Sequence, residues 1–401
     1  MITLDNIKDA KKNLKDVALH TPINKSPFLS KTFNSEIYLK KENLQLTGSF
    51  KLRGAFNRIA NLDEKSKEKG VVAASAGNHA QGLAFAANHF GIEATIFMPE
   101  ATPLTKVSGV KSHGGKVVLT GENFDEAYSA AMKLKEEKGC EFIHPFADDD
   151  VIAGQGTMAF ELLDDVENLK QIIVPIGGGG LISGIAIAIK AINPDIKIIG
   201  VVASGAPAMK ESYKSQMAID SKSVKTIADG IAVKNVTPKM LDIIVDHVDD
   251  IVEVSDNEIA NAILFLLEKE KLVVEGAGAV AVAAIMHEKV EIEDSRVCAV
   301  VSGGNIDVTV LSQIIEKGLV KSSRKMNLIV TLMDKPGSLN HLTNVIKESS
   351  ANIVQIDYDR NSVSLEFGEA HVTIALETKG AEHQKKIREN LKQNGYRFKQ
   401  I

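Results

Sequence analysis

The sequence predicts an α/β fold: a large region with mostly parallel sheets, followed by a smaller βαββαβ unit. Two observations support this prediction. From about residue 37 to residue 319 one pattern recurs, namely a short apolar run, a turn with Gly, Pro, Asn or Ser, and a stretch of helical period. Near residue 320 the polar, basic stretch KSSRKMN interrupts that pattern, and a different order of elements follows.

The predicted strands of the first region are short apolar runs, each flanked by segments of helical period. The first run is followed by SAGNHAQGLAFAANHF, which predicts a helix that ends at Gly91. Strands that alternate with helices form parallel sheets covered on both faces, and such sheets bind ligands at the carboxyl ends of their strands. The runs are residues 71–74, 94–98, 116–119, 172–176, 196–202 and 297–301.

The smaller unit is predicted at residues 327–401, after a linker at 321–326. Its predicted order of elements is that of ferredoxin-like domains. With one open sheet face, a unit of this size is only marginally stable alone. We therefore expect it to pair with another copy or to form a docked regulatory module. The predicted elements are residues 327–333, 339–348, 352–359, 371–377, 381–393 and 396–401.

Length and composition exclude several classes of protein. At roughly 150 residues per domain, 401 residues predict two to three domains. The net charge of -5, with 44% hydrophobic and 25% charged residues, is ordinary for a globular protein and argues against disorder and nucleic-acid binding. The chain starts without the apolar core of a signal peptide, and no apolar stretch reaches the ~20 residues of a membrane span. We expect a cytoplasmic protein with small polar ligands.

The two cysteines, Cys140 and Cys298, form no CxxC motif and no Cys/His cluster. They are too few to staple a chain of this length, so we expect both to be reduced and buried. No structural zinc site is expected.

Four consecutive glycines, Gly177, Gly178, Gly179 and Gly180, follow the predicted strand QIIVPI and precede a helical stretch that starts at Leu181. Glycine lets backbone N–H groups crowd around a phosphate at a helix N-terminus, where the dipole favours an anion. The pattern therefore predicts a phosphate-binding loop. One alternative is a turn that only permits close packing. A dinucleotide site is the weaker alternative, because no acidic residue for a ribose lies about 20 residues further on.

Lys51 follows Thr47, Gly48 and Ser49, which are plausible N-cap residues, and precedes an apolar helical face. In the first turn of a helix the macrodipole disfavours a cation, and apolar neighbours such as Phe50 desolvate the amine. Both effects lower the pKa of a lysine toward the range in which it acts as nucleophile and base. On spacing alone, a surface lysine is the simpler interpretation.

The predicted strand at 71–74 is followed by the motif SAGNH. Its residues Ser75, Gly77, Asn78 and His79 open a helix, so their amides and side chains can bind a carboxylate or phenolate. A helix cap without a ligand is an equally good interpretation.

Three further polar residues lie beside small residues that leave room for a ligand. Ser302 begins the stretch SGGN after the last predicted strand of the first region, Glu275 lies in VVEGAGA, and Asp229 lies in ADG. Taken singly, each motif is weak, and a capping or ion-paired role is the simpler interpretation.

The order of the motifs resembles that of a known family. SFKLRGA, SAGNHAQG, GGGGLISG, ADG, VEGAGA and VSGGN resemble motifs of the pyridoxal-phosphate lyases of the tryptophan-synthase-β fold (fold type II), most closely the threonine and serine ammonia-lyases. The resemblance covers about residues 5–320. It implies a catalytic region at 1–320 with two lobes, a small one at about 45–148 and a large one made of 1–44 and 149–320. Residues 327–401, with DKPGSL after the first strand, resemble an ACT regulatory domain.

The resemblance implies pyridoxal 5'-phosphate as the cofactor. The implied cofactor-binding residues are Phe50, Lys51, Asn78, Gly177, Gly178, Gly179, Gly180, Leu181 and Ser302, and the implied catalytic residues are Lys51 and Ser75. The implied substrate-binding residues are Ser75, Gly77, Asn78, His79 and Glu275.

The implied reaction is β-elimination of L-threonine to 2-oxobutanoate and ammonia, with L-serine as a further substrate that yields pyruvate. A neutral hydroxyl such as that of Ser302 cannot keep the ring nitrogen protonated as an aspartate would, which makes the cofactor a weaker electron sink and favours elimination over transamination. Two alternatives remain. They are a β-replacement enzyme of the cysteine-synthase type and a non-catalytic amino-acid sensor, against which the intact Lys51 argues.

Two positions depart from the related serine racemases. Where those enzymes carry a second serine for the opposite face of Cα, this chain has Ala76, so we expect poor racemisation. Where they carry acidic cation ligands, this chain has GVVASGAPAM, which contains no acid. Since hard cations prefer carboxylate oxygens, no metal ion is expected there.

In ACT domains the first loop and the start of the second strand commonly bind an amino acid at an interface between domains. The corresponding positions are Asp334, Gly337, Leu339, Asn352 and Ile353. We expect isoleucine or valine as an allosteric effector and a homo-oligomer, either a dimer or a tetramer. The alternative is that this unit only assembles the oligomer.

Overall fold

The computed structural model describes residues 2–292, 295–363 and 365–401. Contacts divide the chain into one unit that ends at Asp307 and a second unit, Val308–Ile401. Each unit has its own sheets and its own apolar core.

The first unit contains two sheets. Its strands are β1 (Ile23–Lys25), β2 (Glu36–Lys41), β3 (Val71–Ala74), β4 (Ala94–Met98), β5 (Lys116–Leu119), β6 (Glu141–Phe142), β7 (Gln171–Pro175), β8 (Lys197–Ala203), β9 (Asp250–Val254) and β10 (Arg296–Val301). One sheet has the order β1-β2-β10-β7-β8-β9 and is parallel except for β1, and the other has the order β5-β4-β3-β6 and is parallel throughout. The predicted mostly parallel α/β fold is confirmed.

The two sheets correspond to two segments of the chain. Every strand of the β5-β4-β3-β6 sheet lies between residues 45 and 148, and the strands of the other sheet lie outside that range. Strands β3 and β7 are buried along their whole length, as expected of parallel strands covered on both faces.

Helices flank both sheets of the first unit. They are α1 (Leu4–Leu14), α2 (Pro27–Thr32), α3 (Lys51–Ala60), α4 (Glu64–Lys69), α5 (Asn78–His89), α6 (Leu104–Ser112), α7 (Phe124–Lys138), α8 (Asp149–Gly156), α9 (Met158–Asp165), α10 (Gly180–Ile192), α11 (Ala208–Ser215), α12 (Pro238–His247), α13 (Asp256–Phe265) and α14 (Gly276–Met286). Short 3-10 helices span Glu42–Leu44 and Asp229–Ile231, and Leu266–Glu270 forms a π-helical turn.

Helix α14 is apolar on all sides, and residues 276–285 are all buried. It packs on α13 and on β7, β8, β9 and β10. A helix without a polar face is stable only where it is surrounded by protein, so α14 is a central support of the larger sheet.

The second unit follows the predicted βαββαβ order. It contains α15 (Val308–Lys321), β11 (Lys325–Met333), α16 (Ser338–Glu348), β12 (Asn352–Asp359), β13 (Glu369–Glu377), α17 (Ala381–Gln393) and β14 (Arg397–Gln400). The sheet order is β12-β13-β11-β14, and the pairs are antiparallel. Helix α15 packs on β11 and belongs to this unit, and β11 begins at Lys325, within the segment that the sequence suggested as a linker.

Two other expectations can be compared with the structure. Both Cys140 and Cys298 are buried free thiols. Within the described residues, no helix combines the length and apolar character needed to cross a bilayer.

Candidate active site

The predicted site motifs lie where parallel strands end. Residues 75–78 follow β3, the glycine loop at 177–180 follows β7, and residues 302–305 follow β10. Strand β3 belongs to one sheet of the first unit and strands β7 and β10 to the other. The candidate site therefore combines loops from both sheets, at the edge where α/β proteins bind ligands.

Lys51 is the first residue of α3, as predicted, but the predicted N-cap is wrong. The N-cap is Phe50, in a helical conformation and without a side-chain cap. The preceding residues pair instead with the loop after β10: the amide of Phe50 donates to the Ser302 carbonyl (3.1 Å), and Ser49 forms a β-bridge with Gly303. This pairing brings Lys51 to the end of β10.

The Lys51 amine has a neutral partner. Its Nζ donates to the Pro145 carbonyl (2.7 Å) and lies 5.3 Å from the centroid of the Phe50 ring. Among the described residues, Lys51 forms no ion pair. Burial lowers the pKa of Lys51 to about 8, against a smaller opposing effect of Glu275. A partly neutral amine at near-neutral pH is a competent nucleophile and base.

The four glycines connect β7 to α10, and Gly179 has a φ of +96°, which favours glycine. A Cβ on Gly178 would lie 2.4 Å from the Phe146 ring, and a Cβ on Gly180 would lie 2.9 Å from the Phe146 carbonyl oxygen. Any residue with a side chain at position 178 or 180 would thus collide with Phe146. The first amides of α10 have no intrahelical partner and can bind an anion. Leu181, in the same turn, is buried.

Asn78 is held in one orientation by Asn305. The Asn305 amide donates both to the Thr47 carbonyl (2.8 Å) and to Asn78 Oδ1 (2.8 Å). The Asn78 amide nitrogen then donates to Glu275 Oε1 (2.6 Å). Since an amide has one accepting and one donating end, Asn305 fixes which end of Asn78 faces Glu275.

Glu275 is buried at the N-cap of α14. Burial raises the pKa of Glu275 to about 7, and the neighbouring charge of Asp229 adds to the increase. Asp229 in turn accepts a 2.6 Å ion-paired hydrogen bond from Lys106. The carboxyl group of Glu275 therefore changes charge near neutral pH.

Ser302 is buried, and its hydroxyl donates a long hydrogen bond to the Ala277 carbonyl (3.4 Å). Ser75 Oγ accepts from the Gly77 amide (3.3 Å), so its hydroxyl hydrogen can be donated elsewhere. Ser302 and Ser75 thus each place a hydroxyl group just after a strand, at the ends of β10 and β3.

The ring of His79 faces the protein interior. Its Nε2 donates to the Ile143 carbonyl (2.9 Å), and burial, followed by the charge of Lys51, lowers the pKa of His79 to about 3. A neutral histidine that donates from Nε2 has only an acceptor at Nδ1. Of the groups on His79, the backbone amide at the start of α5 is therefore the one suited to a carboxylate.

The residues present fit pyridoxal phosphate. Lys51 supplies an amine of lowered pKa, and the glycine loop supplies amides at the start of α10. Among the described residues, the buried hydroxyls of Thr47, Ser49 and Ser183 have no hydrogen-bond partner. Two of these hydroxyls precede Lys51 and the third is in the first turn of α10, so polar groups remain available at both ends of the site. No group of three or more His, Cys, Asp or Glu side chains in the described part of the chain is placed to hold a metal ion.

Four site residues were missed by the sequence reasoning. Asn305 was visible as the last letter of VSGGN but was given no role. Pro145 and Phe146 contact Lys51 and the glycine loop, and His144 accepts hydrogen bonds from the same turn, although no motif marks these residues. They follow β6, and only the folded chain brings them to Lys51 and the glycine loop.

The residues proposed as regulatory lie in the second unit and form two groups. Asp334 accepts from Tyr358 Oη (2.9 Å), and Gly337 precedes α16 with a φ of +91°. Asn352 pairs in register with Glu377, at the opposite end of the sheet from Met333. Within one chain, the sheet therefore separates Asp334, Gly337 and Leu339 from Asn352 and Ile353.

Comparisons with known proteins show the family to which the chain belongs. A family model of pyridoxal-phosphate dependent enzymes matches residues 14–303. The L-threonine ammonia-lyase of Thermotoga maritima is 47% identical over 396 residues, which are 99% of this chain and 98% of that protein. The L-threonine dehydratase catabolic TdcB of Staphylococcus aureus is 45% identical over 80% of this chain and 93% of that protein.

Solved structures show the same fold. Maize serine racemase matches with a TM-score of 0.75 and 36% identity over 80% of this chain and 98% of that chain. Threonine deaminase isoform 2 of Solanum lycopersicum, in its processed form, matches with a TM-score of 0.73 and 36% identity over 78% of this chain and 93% of that chain. The chain therefore belongs to the family of pyridoxal-phosphate dependent enzymes, and within it to the group of the threonine ammonia-lyases.

Proposed function

We propose that this protein eliminates ammonia from L-threonine to form 2-oxobutanoate, and that it also converts L-serine to pyruvate. The observation that carries the proposal is the Lys51 amine, which has a lowered pKa and a neutral partner and lies in a site that also contains the glycine loop. The identity to L-threonine ammonia-lyases over nearly the whole chain supports this choice of substrate.

Pyridoxal phosphate supplies an aldehyde that binds the substrate amine and a ring that accepts electrons from Cα. The residues of this chain bind and orient both partners. The glycine-loop amides hold the phosphate, and Ser302 offers a neutral hydroxyl to the ring nitrogen. Ser75 and the first amides of α5 hold the substrate carboxylate. Lys51, in its neutral form, takes the proton from Cα, and the β-hydroxyl group leaves as water. Hydrolysis of the released enamine then gives the keto acid and ammonia.

The experiment is a keto-acid assay of the purified holoenzyme with L-threonine and with L-serine. Lys51→Ala is expected to lower the rate by at least about 10³-fold, since it removes the base. The visible absorbance band of the bound cofactor should also disappear. Lys133→Ala, at an exposed position on α7, is the control. Keto acid formed by Lys51→Ala at the wild-type rate would refute the proposal.

The same assay separates the alternatives. A β-replacement enzyme would need an added thiol or similar nucleophile, whereas elimination releases keto acid without one. Racemisation of serine should be slow because Ala76 has no proton donor, despite the structural similarity to maize serine racemase. A protein that stays colourless with added cofactor would contradict all catalytic proposals.

We further propose that the second unit is an ACT domain that binds isoleucine or valine and controls catalysis. The βαββαβ order supports this, as does a cavity of about 670 Å³ lined by residues that include Gly337, His341 and Arg397. The Staphylococcus aureus relative aligns with only 80% of this chain, so about a fifth of the chain has no counterpart in that alignment.

Gly337→Ala in the full chain tests this proposal, because alanine is strained at a φ of +91°. We expect the concentration of isoleucine or valine that gives half its effect to rise, while activity without effector stays the same. Gly91→Ala is the matched control, since Gly91 has a φ of +69° with open space around it and lies in the first unit, outside the cavity. If neither amino acid changes the activity of the unmodified enzyme, the effector proposal is wrong.

We also propose that the protein is a cytoplasmic homo-oligomer. The two groups of proposed effector residues lie at opposite ends of the sheet in one chain, so a complete site requires a second copy. Light scattering of the purified protein distinguishes a monomer from a dimer or tetramer.

A further inference from the structure

The segment 144–147 contacts both halves of the cofactor site. It leads from β6 to α8, and its Pro145 carbonyl accepts from Lys51 Nζ (2.7 Å). The Phe146 ring fills the space beside Gly178, where a Cβ would approach it to 2.4 Å. The position of this short turn therefore affects the amine and the glycine loop together.

His144 closes the turn with its side chain. Its Nδ1 accepts from the backbone amides of Phe146 (3.2 Å) and Ala147 (2.9 Å). The ring also packs edge-on against Phe146, with 4.6 Å between centroids. A ring nitrogen accepts hydrogen bonds only when it carries no proton, and burial, with a second contribution from Lys51, lowers the pKa of His144 to about 4. The acceptor is thus present at neutral pH.

The same arrangement occurs four residues later with a carboxylate. Asp148 Oδ1 accepts from the amides of Asp150 (2.9 Å) and Val151 (3.1 Å), at the start of α8. Side chains of Asp, Asn and Ser commonly accept from amides two or three residues further on. At position 144 a carboxylate would place a negative charge near Lys51 and raise its pKa. Histidine supplies the acceptor without the charge.

We propose that His144 is a positioning residue for the cofactor site. By accepting these two amide hydrogen bonds, it holds the turn that places the Pro145 carbonyl on Lys51 and the Phe146 ring on Gly178. It thereby sets the separation between the amine and the glycine loop.

Two variants distinguish the effect of the hydrogen-bond acceptor of His144 from the effect of the size of its ring. In His144→Asn the amide oxygen occupies nearly the position of Nδ1 and can accept the same bonds, whereas His144→Leu has similar bulk and no acceptor. The readout is the Kd of the apoprotein for pyridoxal phosphate, from an absorbance titration. We expect a Kd increase of about 10-fold or more for His144→Leu, since two hydrogen bonds of ordinary strength are lost, and of less than about 3-fold for His144→Asn.

A melting curve of each apoprotein accompanies the titration. His113→Leu is the control, because His113 is also half-buried and packs against an aromatic ring, that of Phe85. A wild-type Kd for His144→Leu overturns the proposal, and so does an equal loss in both variants. If His144→Leu does not fold, a folded His144→Asn with a wild-type Kd supports the proposal and one with a weakened Kd overturns it. If neither variant folds, the residue serves the fold and the proposal is wrong.

Discussion

Lys51 shows how the surroundings of one side chain set its chemistry. Its hydrogen-bond partner is a carbonyl group, and burial lowers its pKa to about 8. At pH 7 roughly one molecule in ten then carries a neutral amine, against about one in three thousand for a lysine with its ordinary pKa. A carboxylate in place of the Pro145 carbonyl would stabilise the protonated amine, raise its pKa and lower the fraction of neutral amine.

This pKa predicts how fast the apoprotein takes up its cofactor. Only the neutral amine of Lys51 attacks an aldehyde, so the rate should rise with pH below about 8 and level off above it. Stopped-flow absorbance with added pyridoxal phosphate between pH 6 and pH 10 measures the profile. A rate that still rises tenfold per pH unit at pH 9.5 would show an unperturbed lysine.

Glu275 should produce a second ionisation in the pH profile of kcat/KM. Its pKa is raised to about 7 by burial and then by Asp229. Glu275→Gln keeps an oxygen that can accept from Asn78 but cannot ionise. We expect the inflection near pH 7 to disappear. At every pH the kcat/KM of the variant should resemble that of the enzyme in which Glu275 is protonated.

Asp229→Asn is the companion variant for Glu275. Removing the negative charge of Asp229 makes ionisation of Glu275 easier, so the inflection should move to lower pH. An inflection near pH 7 that survives in Glu275→Gln would assign the ionisation to another group.

The glycine loop between β7 and α10 owes part of its glycine content to the residue packed against it, Phe146. Gly178 and Gly180 both face Phe146, and Gly179 adopts a positive φ. The loop thus needs glycine for close approach at two positions and for backbone conformation at a third.

Gly178→Ala is expected to weaken binding of pyridoxal phosphate by about 10-fold or more, because a Cβ at 2.4 Å from the Phe146 ring must displace the ring or the loop. Equilibrium dialysis of the apoprotein measures the effect. The double variant Gly178→Ala with Phe146→Ala removes the clash and should recover part of the affinity. Gly109→Ala, beside the flexible end of Gln81, is the control. No recovery in the double variant would mean that the clash is not the cause.

The start of helix α3 is a place where the local sequence pattern predicted the wrong N-cap. The hydroxyl residues before Lys51 suggested a side-chain cap, yet Thr47 and Ser49 leave their hydroxyls without partners in the described structure, and the helix begins at Lys51 after Phe50. The backbone there pairs with the loop after β10 instead. A contact between segments some 250 residues apart in the sequence overrides the local preference, and a local pattern cannot reveal it.

A buried network of charges connects several elements of the first unit. Arg53 of α3 donates two hydrogen bonds to Glu42 (2.8 and 2.9 Å) and also binds Glu161 of α9. Lys40 of β2 pairs with Glu161 and donates to the Thr21 carbonyl (2.8 Å). Two positive and two negative groups neutralise one another, which makes their burial tolerable. The network fixes α3, and hence Lys51, to the larger sheet.

Arg53→Met should destabilise the first unit by about 3–5 kcal/mol, because it leaves Glu42, which is 0% exposed, without its main partner. Urea unfolding followed by circular dichroism measures the change. Lys239→Met, which breaks an exposed ion pair with Asp149, should cost about 1 kcal/mol or less. Equal effects of the two variants would contradict this view of the network.

The sequence alone was sufficient to predict four features of the fold. They are the α/β class, the strands around the site, the βαββαβ order of the second unit and the position of Lys51 at the start of a helix. These features follow from local hydrophobic periodicity and turn chemistry, which act over a few residues. The tertiary structure decided the neutral partner of Lys51, the orientation of Asn78 by Asn305, the turn held by His144 and the separation of Asp334 from Asn352. Each of these depends on residues distant in the chain meeting in a buried site, where desolvation and hydrogen-bond geometry set the pKa and the orientation, and no local pattern encodes such a meeting.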